Sequence, residues 1–419
     1  MVPGAAVRRV APVVVYLLVA VLVLTPSPAS AAVWTAVNTV APSGLSASTE
    51  TWEATPVDFD NDGDEDVWIG YHDAGGKLWR NNGNGVYTQA FTWPRVNAEG
   101  LVPDRHDCDW ADVDDDGRVD AYCSAGRGGN NSVKTGKDNE LWLQTAPGQF
   151  VDQGTAWGLG DVCGRSHYVE FLDANGNARP DLFVGNAVPR NVSDPCDNPA
   201  NNLPSEENKL YLDVRRGVQP AANSGVGGFG GTRCAEVADI NGDGFDDLLI
   251  CSAQPTRLFR NNGSTGGPVF ADVSAANGLT TKHADAAFGD LDKDGDPDLV
   301  TALPRRYEYR LNNNGRFGSP RVIHTVPSGG NGRAVALGDA DGDGDLDVYA
   351  LISSGGRNPN DVVLRNSNLS FTAVPVPAAG GIGDAVATLD GNGDGRREFL
   401  VLNGVETSGP IQRVELRFQ

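Results

Sequence analysis

The sequence predicts an all-β fold: a seven-bladed propeller of four-stranded antiparallel blades, closed by pairing an N-terminal strand with the C-terminal blade. Three observations lead there. A nine-residue acidic unit recurs seven times along the 419-residue chain. Short apolar runs flank every copy in the same order. The composition is also poor in helix, with 53 Gly, 25 Pro, one Met and no sustained apolar stripe of period 3.6.

Residues 1–31 read as a secretory signal peptide. Arg8 and Arg9 form its positive start, Val10 to Leu24 its apolar run, and Ala29-Ser30-Ala31 a small-residue cleavage site. The run is short for a bilayer span, and Pro26 and Pro28 follow it. The expected mature chain is therefore one exported domain over 32–419, not inserted in a membrane. Losing Arg8 and Arg9 takes the net charge from −22 to −24, which argues against nucleic acid and anionic lipid as partners.

More than half of the acids lie in the seven repeated units, which begin at Asp58, Asp112, Asp173, Asp239, Asp290, Asp339 and Asp390. Oxygen donors occupy the odd positions. The first two sets are Asp58, Asp60, Asp62, Asp64, Asp66 and Asp112, Asp114, Asp116, Arg118, Asp120. The next two are Asp173, Asn175, Asn177, Arg179, Asp181 and Asp239, Asn241, Asp243, Phe245, Asp247. Asp290, Asp292, Asp294, Asp296, Asp298 and Asp339, Asp341, Asp343, Asp345, Asp347 follow, and Asp390, Asn392, Asp394, Arg396, Glu398 come last.

Ca2+ takes six to eight oxygens at about 2.3–2.6 Å, and side chains at positions one, three and five converge on one point when the chain curls tightly. Glycine at position six permits the curl, position seven offers its backbone carbonyl, and the acid at position nine closes the cage. Up to seven Ca2+ ions are expected. The third loop, with Asn175, Asn177 and Ala178, and the seventh, which closes with Glu398, are the weakest copies. An EF-hand needs a closing Glu at position twelve, where this chain has Ile69 and Ala350.

Each loop lies between two strand-like runs, such as Glu53–Val57 before and Val67–Ile69 after. A third run follows, as in Leu78-Trp-Arg-Asn-Asn-Gly83 and Leu258-Phe-Arg-Asn-Asn-Gly263, and then a fourth, as at Val86-Tyr87. Four short antiparallel strands repeated radially leave few exposed edges. The last unit has only three, ending in Val414–Phe418, while Val33–Val37 stands unused at the mature N-terminus. Pairing the two closes the ring.

Six cysteines in an exported chain suggest three disulfides. Cys108 and Cys123 stand four residues before their loop and three after it, and Cys234 and Cys251 stand five before and four after. Both pairs fit one antiparallel register, which predicts Cys108–Cys123 and Cys234–Cys251 and leaves Cys163–Cys196.

The units resemble FG-GAP/VCBS repeats, the type found in the N-terminal propeller of integrin α chains, most clearly at Val237–Ile250. The resemblance implies a seven-bladed propeller with Ca2+ between the first two strands of a blade, on the lower face. Ser252-Ala-Gln-Pro255 stands where the name-giving signature would be, so integrin-like partners are not implied. Proteins with these repeats include adhesins, a sugar-binding lectin and polysaccharide lyases, so the fold does not choose among functions.

On the opposite face, the two longest connections span about 125–139 and 187–208. The residues six places before the loops, with close neighbours, include Trp52, Arg105, His106, His167, Arg233, His283 and Arg333. These are candidates for binding an anionic or hydroxyl-rich ligand; the alternative is strand-start residues bonded to neighbouring blades. No catalytic motif stands out, and no catalytic residue is assigned. The expected function is a secreted recognition or adhesion module, with carbohydrate the first ligand class. A polysaccharide lyase and an extracellular protein-binding scaffold are the alternatives.

Overall fold

The run after each acidic loop is apolar at successive positions, so it needs cover on both faces of its sheet. In the computed structural model these runs are the second strands of the blades. Asp66–Tyr71, Asp181–Asn186 and Asp247–Ser252 are buried along their whole length. The structure describes residues 34–418 except 40–43, 46–49, 72–74, 96–102, 127–137, 162–163, 165, 187–206, 228–230, 253, 264–268, 354–360, 378–382, 384 and 405–410.

The described strands form seven antiparallel sheets. Five have four strands in chain order, as in blade one: Thr51–Val57, Asp66–Tyr71, Lys77–Asn81 and Tyr87–Thr92. Blade three has three strands, Ser166–Leu172, Asp181–Asn186 and Lys209–Tyr211, and an isolated bridge joins Tyr211 to Pro220 beside the last. Blade seven closes the ring as expected: Trp34–Asn38 pairs with Ile411–Phe418 in a register running from Trp34 opposite Phe418 to Asn38 opposite Val414.

Each first strand packs against the first strands of both neighbours around the ring, which sets them about a central channel. The apolar cores lie between blades. Trp68 and Leu78 of blade one, for example, cluster with Cys108, Ala121 and Trp142 of blade two. Seven such clusters join successive pairs, including blade seven to blade one through Leu400, Leu402, Val67 and Ile69.

Cys108 lies opposite Cys123 and Cys234 opposite Cys251, and both pairs are disulfide-bonded. Cys163 and Cys196, residues 1–31 and most of the connections at 125–139 and 187–208 lie outside the described residues. Among the described residues, no helix is long and apolar enough to cross a membrane.

Candidate functional site

The acidic loops share one backbone design. The carboxylate at position one accepts the N–H groups of positions five and six: Asp58 takes those of Asp62 at 3.1 Å and Gly63 at 3.0 Å, and Asp290 those of Asp294 at 3.1 Å and Gly295 at 3.0 Å. Position six is left-handed in all seven loops, with φ +90° at Gly63 and +59° at Ala178. Position four is left-handed too, at Asn61, Asp115, Gly176, Gly242, Lys293, Gly342 and Gly393. That second reversal carries no uniform residue signature, and sequence reasoning missed it.

Position nine starts the second strand and is enclosed. Asp66 accepts the N–H of Phe59 at 3.2 Å and of Asn81 at 2.7 Å, so it clamps the loop to the third strand. The next residue upward in this network reaches a different blade: Asn81 Nδ2 donates to Gly391 of loop seven at 2.9 Å, and Asn312 Nδ2 to Ile240 of loop four at 2.7 Å. Burial, outweighing these hydrogen bonds, raises the carboxyls of Asp66, Asp247 and Asp347 to about 7.

The donor set fits a hard divalent cation such as calcium. In five loops three carboxylates each offer an oxygen within 4.8 Å of the others: Asp58, Asp60 and Asp62; Asp112, Asp114 and Asp120; Asp290, Asp292 and Asp294; Asp339, Asp341 and Asp347; and Asp390, Asp394 and Glu398. Oxygens bound to one Ca2+ at the usual distance lie no more than about 5 Å apart. Asp60 Oδ1 is buried with no hydrogen-bond partner, as a donor to an ion would be. The third and fourth loops have Asn175 and Asn241 at position three, so amide oxygens replace carboxylates there.

At the other end of the first strands lies a cavity of about 660 Å³. Trp52, His167, Arg233 and Arg333 line it. Each sits where its strand shifts register against the second strand: between Thr51 and Ala54, Ser166 and Tyr168, Thr232 and Cys234, and Gly332 and Ala334. A bulge breaks strict alternation and re-aims a side chain, which brings these four residues to one mouth.

Three sequence candidates are directed elsewhere. Arg105 is fully enclosed, its guanidinium held by Glu140 at 2.6 and 2.9 Å and by the Pro94 carbonyl at 3.0 Å. His283 is also enclosed, with Nδ1 2.8 Å from Thr256 Oγ1, and burial lowers its pKa to about 4. His106 is 4% exposed and pairs with Asp104 at 3.0 Å while stacking on Trp52. It supports the mouth from behind.

What the sequence reading overlooked is acid. Glu53, Asp107, Asp109, Glu170, Glu236 and Asp285 line the same cavity below its rim. Three of them join blades: Asp107 accepts Val169 N–H at 2.9 Å, Asp109 accepts Phe171 N–H at 2.6 Å, and Asp285 accepts Val335 N–H at 2.9 Å. Burial, chiefly, raises Asp107 and Asp285 to about 7 and lifts Glu170 and Glu236 well above the ordinary carboxylate range. Asp107 and Asp109, two apart on one strand, share a face and were the available signal.

An acidic-loop β-propeller with a lined axial cavity is the class that this fold and site define. The chain carries FG-GAP-like repeats: that family's model matches residues 58–123, 218–301 and 305–350. Cartilage acidic protein 1 of Xenopus tropicalis is 22% identical over 337 residues, covering 72% of this chain and 48% of the relative. The chain thus spans about half the length of that curated relative. Among solved folds, an Agrocybe aegerita lectin specific for non-reducing terminal N-acetylglucosamine matches with TM-score 0.50 and 19% identity, over 79% of this chain and 80% of the lectin. BBS1N, solved in complex with ARL6DN, matches with TM-score 0.52 and 11% identity, over 92% of this chain and 97% of its own. At these identities the likeness is one of fold.

Proposed function

We propose that the protein is an exported recognition module, stabilised by calcium in its acidic loops, whose cavity mouth takes a hydroxyl-rich carbohydrate. The observation that carries the ligand class is that Trp52 and His167 line one cavity with the carboxyl groups of Glu170 and Glu236. Among the described residues, neither Glu170 nor Glu236 has a hydrogen-bonded side chain. A sugar offers what both groups can use: an apolar ring face for the indole, and hydroxyls that donate to or accept from the carboxyl groups. One propeller of this fold, the Agrocybe aegerita lectin, recognises a terminal sugar.

The acid below the rim also decides between ligands. A polyuronate would bring carboxylates into a cavity that already disfavours charge on Asp107 and Glu236, so neutral or amino sugars suit it better, and a lyase of acidic polysaccharide suits it less. Arg233 and Arg333 also line the cavity, where their guanidinium N–H groups can donate to a hydroxyl oxygen or an isolated anionic substituent. Two disulfides agree with export to an oxidising compartment.

The test is retention of the chain from Ala32 onward, in calcium, on a panel of neutral and acidic polysaccharides, with the eluted glycan weighed. Binding to neutral glycans without fragmentation, lost at least about tenfold in Trp52→Ala and Glu236→Gln, is the expected result. Fragments bearing unsaturated ends would make it a lyase. No retention on any glycan would end the carbohydrate reading in favour of a protein partner.

A further inference from the structure

The acidic loops differ electrostatically, and two of the differences come from arginines outside the nine-residue unit. In blade one, Arg80 of the third strand reaches back to its own loop: Nε lies 2.7 Å from Asp60 Oδ2 and Nη2 2.9 Å from Asp62 Oδ2. Blade six repeats the arrangement. Arg365 directly precedes Asn366 as Arg80 precedes Asn81, and it pairs with Asp341 and, at 2.8 Å, with Asp343. In both blades the arginine takes one oxygen of each carboxylate at positions three and five, and so neutralises two of the groups that would draw an ion into the loop.

Blade five has no such residue. Leu311 precedes Asn312, and among the described residues no cation pairs with Asp290, Asp292 or Asp294. Lys293 of that loop turns instead to Asp345 of loop six, at 2.7 Å. In blade four Arg260 stands at the equivalent place but is exposed and, among the described residues, pairs with neither Asp239 nor Asp243.

We propose that Arg80 and Arg365 are built-in counter-cations, which hold the first and sixth loops together without metal and are displaced when calcium enters. The inference rests on the calcium reading above and adds an order of filling, with loop five tighter than loops one and six. Guanidinium and Ca2+ compete for the same two carboxylates, and two positive charges a few ångströms apart at one loop repel. Partly exposed ion pairs are individually weak, so two per loop correspond to roughly a three- to tenfold loss of apparent calcium affinity.

Calorimetric titration of the chelator-stripped full chain with Ca2+ tests this on wild type, Arg80→Gln, Arg365→Gln and the double variant. Each single change should move one equivalent of calcium into the tighter class, by about three- to tenfold, and the double change two equivalents. Arg260→Gln should leave the titration as it was. The melting temperature in chelator should fall in the double variant, because the loop acids lose their counter-charge, and its rise on adding calcium should exceed that of wild type. Calcium uptake that is intact but unchanged or weaker in the double variant would overturn the proposal while leaving the calcium reading in place. A wild-type chain that takes up no calcium would remove both.

Discussion

The indole of Trp52 lies flat against the imidazole of His106, with ring centroids 4.2 Å apart and planes inclined by 15°. The two residues come from the first strands of neighbouring blades, so the stack crosses a blade boundary at the mouth of the cavity. His167 of the third blade adds an edge contact to His106, at 4.3 Å between centroids. Gly126 makes room for this, because a Cβ there would stand 2.5 Å from the His106 ring.

The stack separates support from recognition. His106→Ala empties a buried site and removes the His106–Asp104 contact, a loss of about 2–3 kcal/mol by denaturant unfolding. Trp52→Ala removes a half-buried ring and should cost about 1 kcal/mol, yet it should abolish glycan retention. A variant pair in which Trp52→Ala is the more destabilising, with retention intact, would contradict the roles assigned here.

Ala178 occupies the left-handed position six of the third loop, where the other six loops have glycine. An L-residue with a Cβ is strained there by about 1 kcal/mol. Ala178→Gly relieves the strain but adds backbone freedom to the unfolded chain, so the net gain should be smaller, about 0.5 kcal/mol. A higher denaturation midpoint with an unchanged slope is the expected outcome, and a lower midpoint would refute the strain argument.

The cavity acids give the stability a pH dependence of definite sign. Burial raises Asp285 from 3.8 to about 7, so the folded chain holds a proton there that the unfolded chain has released. The contribution is fully present below about pH 4 and is lost as pH rises through about 7. Glu170 and Glu236, shifted in the same direction by burial and by neighbouring acids, act with the same sign. Asp285→Asn keeps an acceptor for Val335 N–H and removes the titration. Its melting temperature should exceed that of wild type by about 2–4 °C at pH 8 and match it near pH 4, measured by calorimetry. Equal melting curves at both pH values would show that the Asp285 carboxyl does not carry this shift.

Blade number, strand order, ring closure and two disulfides were legible because each follows from a repeated local pattern. Cys108 and Cys123 are readable from spacing alone, since antiparallel pairing fixes which residues face each other. The cavity was less legible for the same reason. Facing on a strand depends on parity, and the bulges at Trp52, His167, Arg233 and Arg333 break parity just where the mouth is built. His106 lies in such a shift too, between Arg105 and Cys108, and still turns into the blade boundary. Arg105 and His283 read as surface cations until Glu140 and Thr256, distant or unremarkable in sequence, are seen to enclose them.

The acidic loops carry the account, and calcium removal tests them most directly. Several sites filled well above their dissociation constants each add stability by mass action, on the order of 2–3 kcal/mol per site at a hundredfold excess. The measurement is the melting temperature of the chain from Ala32 onward, dialysed exhaustively against chelator and then returned to millimolar calcium. A fall of about 10 °C or more in chelator, recovered with calcium and not with magnesium, is the predicted result. An identical melt in both conditions would contradict structural calcium and leave the seven loops as metal-free turns.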